Sequence, residues 1–178
     1  MPTATIELVD VTPSEKLKLW QVLQEYLREL NALEGATAPP GMLIEYPPWE
    51  KYWDGSAGRM KFWIVIGQGK VGFILLRSMS AAEWPSVPPP TQITELCIFR
   101  PFRSREIGAS VLKFLLVDSH QRGEILTWDC HKKNLRAEKM YDRVVAEYAA
   151  TAGADWAFQK ADHKSEAGPM YRYVCGAI

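Results

Sequence analysis

The chain has 178 residues, 47% of them apolar and 24% charged, and its 21 Lys and Arg balance its 21 Asp and Glu. Such a chain is long and apolar enough to bury a self-supporting core, which excludes a wholly disordered protein and argues for one domain over residues 1–178. Zero formal net charge excludes broad binding to nucleic-acid backbones or anionic membranes by bulk electrostatics.

Cys97, Cys130 and Cys175 form no CxxC pair and read as small apolar residues in strands. The N-terminus lacks a basic segment followed by an apolar run. No stretch reaches the roughly 20 apolar residues that span a bilayer. A cytoplasmic protein with no membrane partner is expected. His120, His131 and His163 are scattered, so no metal site is expected.

In chain order, residues 5–9 alternate apolar and polar and predict a short strand. Thr12-Pro13-Ser14-Glu15 then has the form of a capping box with proline at the first helical position. Leu19, Leu23, Leu27 and Leu30 follow at helical spacing, ending near Gly35. Residues 36–60 are irregular and aromatic, broken by Pro39-Pro40-Gly41 and Pro47-Pro48, with a short helix expected around Trp49–Trp53. Residues 62–66 and 71–77 read as a hairpin turning at Gly67-Gln68-Gly69-Lys70. That Gly-x-Gly-Lys is no phosphate loop, because a strand follows it rather than a helix.

A second loop, carrying Trp84 and closed by Pro88-Pro89-Pro90, precedes a buried strand over 91–99. A helix is predicted over 103–121, a strand over 124–130 and a helix over 134–148. Strands at 155–159 and 170–175 close the chain. This order predicts an α/β (α+β) protein: one mixed, mostly antiparallel sheet flanked by helices on both faces.

The segment Leu96-Cys97-Ile98-Phe99-Arg100-Pro101-Phe102-Arg103-Ser104-Arg105-Glu106-Ile107-Gly108-Ala109 carries a chemical signal. A strand runs through a basic turn into a helix, so that backbone N–H groups and the positive end of the helix dipole converge on one spot. That is a receptor for a phosphate or diphosphate. Arg103 and Arg105 add charge to pair with phosphate oxygens, and Gly108 lets a ligand approach the first helical turn closely. Further on, Asn134 can cap its helix, while Ala137 and Tyr141 share one face and turn toward the preceding strands.

These residues resemble the GNAT superfamily of acyl-CoA-dependent N-acyltransferases. Arg103-Ser104-Arg105-Glu106-Ile107-Gly108 falls on the family's Gln/Arg-x-x-Gly-x-Gly/Ala signature, with Glu106 in place of the first glycine. Asn134, Ala137 and Tyr141 match its Asn-x-x-Ala-x-x-x-Tyr pattern in full. The family's Gly-Phe after this helix is missing; Val144-Val145-Ala146-Glu147 stands there instead.

The resemblance implies acetyl transfer from acetyl-CoA, without a metal, to a primary amine of a small molecule or peptide. The cradle Arg103–Ala109 (Arg103, Ser104, Arg105, Glu106, Ile107, Gly108, Ala109) would hold the CoA diphosphate, with Asn134 beside it. The pantetheine arm would pair with strand backbone near Cys97 and Ile98, and the Ile98 N–H would polarise the thioester carbonyl. Tyr141 would protonate the departing thiolate. Glu95 is the candidate base, with Asp129 and Glu83 as competitors. The acceptor is expected between the aromatic loops around Tyr46–Trp53 and Trp84. Glu106, a carboxylate beside a diphosphate, favours the alternative of a catalytically inactive CoA-sensing or protein-binding module. No nucleic-acid partner is expected, and the C-terminal strands could pair in a homodimer.

Overall fold

Thr12-Pro13-Ser14-Glu15 does start a helix. The Glu15 carboxylate accepts from the Thr12 backbone N–H at 3.1 Å, closing a 3-10 turn over Pro13–Glu15 that leads into α1 (Lys16–Leu33). Leu19, Leu23 and Leu27, a turn apart, are buried on one face of α1, each worth about 2 kcal/mol of apolar burial. The structure is a computed structural model describing residues 5–39, 41–56, 58–85, 89–165 and 168–177. Pro40 and Pro88 of the expected loops lie outside these residues.

Seven strands form one sheet: β1 (Ile6–Asp10), β2 (Arg59–Ile66), β3 (Gly69–Ser78), β4 (Thr91–Ile98), β5 (Leu126–His131), β6 (Trp156–Ser165) and β7 (Gly168–Ala177). Their spatial order is β1-β2-β3-β4-β5-β7-β6, and only β4 and β5 run parallel. α1 covers one face with Trp63, Phe73, Leu75 and Cys97 beneath it. On the other face α2 (Ile107–Gln121) and α3 (Leu135–Ala149) pack on Ile64, Ile74, Leu76 and Trp128. This is the mixed, mostly antiparallel sheet with helices on both faces that the sequence predicts.

Three differences from the sequence reading have physical causes. The helix expected from Arg103 starts at Ile107, because Ser104 and Glu106 take left-handed φ values of 64° and 59° that no helix accommodates. The last two strands are ten residues each rather than five and six. β6 is an edge strand with mostly exposed side chains, including Gln159, Asp162 and Lys164, so apolar alternation could not reveal its length. Around Trp49 the chain makes only a 3-10 turn, Glu50–Tyr52.

Gly72 fixes the spacing of β3 and β4. A Cβ on this residue would lie 2.2 Å from the Cys97 carbonyl oxygen, so no other residue fits there without moving backbone.

Candidate active site

Among the described residues the one parallel junction of the sheet, β4 with β5, is also where it opens. β4 pairs with β5 over Thr91–Ile93 against Leu126–Trp128 and no further. A bulge then falls at Thr94: Leu76 faces Ile93 while Leu75 faces Glu95. Beyond it β4 runs to Ile98 and β5 to His131 without pairing. The Phe99 N–H donates to the Val71 carbonyl at 2.9 Å. Strand alternation therefore turns the backbone groups of Cys97 toward β3 and those of Leu96 and Ile98 toward the open side.

A cavity of about 510 Å³ occupies the opening. Ile93–Glu95 of β4 and Asp129–His131 of β5 line it, with Tyr26 of α1, Tyr46 of the following loop, and Asn134, Ala137 and Tyr141 of α3 around them. Glu95 is half-buried, and the hydroxyls of Tyr26 and Tyr46 are near enough to favour its ionised form. Burial outweighs that influence and pushes the Glu95 carboxyl up to about 7. The competitors differ. Asp129 is gripped by Arg172 through two bonds of 2.7 and 2.8 Å. Glu83 accepts from the Ser80 backbone and from Arg77, which lower it to about 2.

Tyr141 packs against Trp128 and Tyr173, with ring centroids at 5.6 and 5.7 Å. Burial raises its phenol above the ordinary tyrosine range, so it stays protonated, and no hydrogen-bond partner holds its hydroxyl among the described residues. Asn134 accepts from the Ala137 N–H at 3.2 Å and so caps α3 as expected. Cys97 is 4% exposed in the core under α1, its thiol pushed up to about 12 by burial. With its backbone turned to β3 as well, Cys97 does not belong to the free edge; Leu96 and Ile98 do.

The basic turn lies at the far end of β4. After a 3-10 turn at Arg100–Phe102, the chain passes Ser104 and Glu106 in left-handed conformation and enters α2. The Ser110 N–H is the first of α2 to bond within the helix, donating to the Glu106 carbonyl at 2.9 Å, so those of Ile107, Gly108 and Ala109 have no intrahelical acceptor. A Cβ on Gly108 would meet only ordinary contacts at 3.5 Å and beyond, so the protein's own packing does not demand glycine there.

Arg103 is not a free phosphate ligand. It donates to the Ile98 carbonyl at 2.7 Å and pairs with Glu29 at 2.7 Å, tying α1 to the end of β4. Arg105 stacks on Phe102 at 5.8 Å and has no carboxylate partner among the described residues. Two further arginines come from α3, Arg136 bonded to Ser104 at 3.0 Å and Arg143 paired with Glu106. Their spacing of seven on one helical face was the available signal for them.

Other expectations fare unevenly. Tyr46 faces the cavity, but Trp49 is 8% exposed and packed on Trp20 and Trp53, and neither Trp49 nor Trp84 lines the opening. Tyr26, and the pair of His131 Nε2 with Glu34 at 2.8 Å, were not foreseen. Among the described residues no group of three or more His, Cys, Asp or Glu is placed to hold a metal, and no helix is long and apolar enough to cross a membrane.

Comparison with known proteins matches residues 19–145 to the model of the acetyltransferase (GNAT) family. An acetyltransferase from Thermus thermophilus superimposes with a TM-score of 0.61 at 19% identity, covering 98% of both chains. AAC(6')-Ib, solved with ribostamycin and coenzyme A, gives 0.66 at 14% identity, covering 97% of this chain and 93% of that one. Arabidopsis thaliana NAA60, solved with a bisubstrate analogue, gives 0.55 at 13% identity over 96% of each chain. At such identities the likeness to solved structures establishes the fold. A search of the curated proteins finds no match.

Proposed function

The chain belongs to the GNAT acetyltransferase family, and on that premise we propose that it moves an acetyl group from acetyl-CoA to a primary amine by direct attack on the thioester. The observation that carries this reading is the meeting of Glu95 and Tyr141 in one cavity beside an unpaired strand edge.

The residues present fit acetyl-CoA. The free N–H groups of Ile107–Ala109, with Arg105 and Arg136, suit a diphosphate. The open edge at Leu96 and Ile98 suits an arm with amide groups. Acetyl-CoA supplies the acetyl group as a thioester. Glu95 takes the proton from the acceptor ammonium, a task for which a carboxyl near 7 is better matched than an ordinary one near 4.5. The Ile98 N–H stabilises negative charge on the thioester oxygen as nitrogen attacks carbon. Tyr141 gives its proton to the sulfur as the carbon–sulfur bond breaks, and the proton the nitrogen sheds as it becomes an amide restores the phenol, leaving the free CoA thiol.

Titration calorimetry with acetyl-CoA and CoA, followed by thiol release with an amine panel, tests the reading. Micromolar binding and amine-dependent release are expected. Binding without release under any amine would replace the enzyme by a CoA-binding module.

A further inference from the structure

The cavity walls carry charges beyond those the proposed chemistry uses, and most are matched. Glu34 pairs with His131, Asp129 with Arg172, and Arg77 with Glu83 at 2.7 Å and Gln92 at 2.6 Å. Two are not. Among the described residues no cation pairs with Glu95 and no carboxylate pairs with Arg59, although both line the same cavity.

Arg59 is nonetheless held in place. Its guanidinium lies over the Tyr52 ring at 5.1 Å, and one nitrogen donates to the Tyr52 hydroxyl at 3.4 Å. That hydroxyl is 2.6 Å from Oγ1 of Thr94, the residue before Glu95. These contacts leave further N–H groups of the guanidinium for a partner, and a guanidinium fork suits a planar carboxylate.

The sheet register sets the distance between the two groups. Arg59 faces Arg77 across β2–β3, and Leu75, two residues from Arg77 on the same face, stands opposite Glu95 across β3–β4. Two strand spacings across and two residues along put their Cα atoms about 12 Å apart. With both side chains reaching inward, the remaining gap is on the scale of a small amino acid.

We propose that Arg59 binds a carboxylate on the acceptor, so that the acceptor is an amino-acid-like zwitterion lying with its amine at Glu95 and its carboxylate at Arg59. This rests on the reading of the cavity as an acetyl-acceptor site. A monoanion is the favoured partner: one unpaired guanidinium matches one carboxylate, and the unpaired Glu95 in the same cavity disfavours a more highly charged group such as phosphate. Arg59 is here a specificity residue and takes no part in bond making.

The test uses CoA-saturated protein and matched probes: the common L-amino acids, β-alanine and γ-aminobutyrate, each beside its primary carboxamide. Calorimetry reads binding, and thiol release from acetyl-CoA reads turnover. At least one acid is expected to bind ten-fold or more tighter than its amide, with Arg59→Gln erasing that preference and leaving the melting temperature within a few degrees. In turnover, KM for the acid should rise 10- to 100-fold with a much smaller change in kcat. Equal binding of acids and amides, or no binding of either, overturns the proposal. Arg59-dependent binding without thiol release would instead overturn acetyl transfer and leave the carboxylate site standing. Thiol release with no preference for acids would do the reverse.

Discussion

The carboxylate of Glu106 is paired with the Arg143 guanidinium across the gap between the start of α2 and the third turn of α3. Its backbone meanwhile keeps the left-handed conformation, φ 59°, that glycine would adopt without strain. The residue thus preserves the shape of the turn while its charge is neutralised from the neighbouring helix. Arg143→Ala leaves that charge beside the proposed diphosphate site, and CoA should bind 3- to 10-fold more weakly, with the deficit shrinking in high salt. Glu106→Gly removes both the charge and a backbone strain of about 1 kcal/mol, and CoA should bind at least as tightly as to the natural chain. Calorimetry at two ionic strengths reads both.

Arg103 and Arg105 should separate cleanly. Arg103 joins Glu29 to the Ile98 carbonyl and is half-buried, so Arg103→Ala should cost about 1–2 kcal/mol of stability, measurable in urea. Arg105 bonds to no carboxylate among the described residues. Arg105→Glu should leave the urea midpoint in place and weaken CoA at least ten-fold. Unaltered CoA affinity in Arg105→Glu would remove it from the diphosphate site.

The Glu95 carboxyl, at about 7 in the folded chain against an ordinary 4.5, gives two linked pH effects. As a base it works ionised, so kcat/KM should rise with pH up to about 7 and then level off. Glu95→Gln should abolish most of the activity at all pH values. Stability runs the other way. Between pH 4.5 and 7 the folded state holds a proton that the unfolded state has lost, so stability falls as pH rises through that window and is flat above it. Glu95→Gln should therefore be more stable than the natural chain at pH 8, by about 3 kcal/mol. That advantage should vanish below pH 4.5. Denaturation curves at pH 4, 6 and 8 decide it.

Tyr141→Phe keeps the ring that packs on Trp128 and Tyr173 and removes only the hydroxyl. Turnover should drop roughly 10- to 1000-fold while acetyl-CoA affinity changes less than two-fold. The loss should be smaller for a thioester analogue with a more acidic thiol, since a better leaving group needs less protonation. An unchanged rate would take the phenol out of the chemistry.

Much of this was legible in the residues. The capping box, the leucine ladder of α1, the hairpin over Gly67 and the cap at Asn134 are local signals, and each is found where its chemistry demands. The basic turn proposed for the diphosphate was visible because strand, turn and helix follow one another in sequence. The rest depends on contacts made across the fold. Tyr26 and Tyr46 reach Glu95 from 69 and 49 residues away, and nothing near them announces a shared carboxylate. Arg103 looked like a phosphate ligand because Glu29, its partner, lies 74 residues earlier. The tryptophans of the 49–53 region misled for a related reason: large aromatic rings serve a core and a binding wall equally well. Only the packing of Trp49 on Trp20 tells which.

The bulge at Thr94 has a consequence for engineering. β4 changes phase partway along, so its two halves follow different alternation rules, the first governing Gln92 and the second Glu95 and Cys97. Pairing all eight residues in one regular register, with Thr94 no longer bulged out, would send Glu95 to the face covered by α2 and α3 and put Leu96 in its place. Segments exchanged with a related chain should therefore be cut outside Thr91–Ile98. A junction inside would keep every residue type and still invert the site.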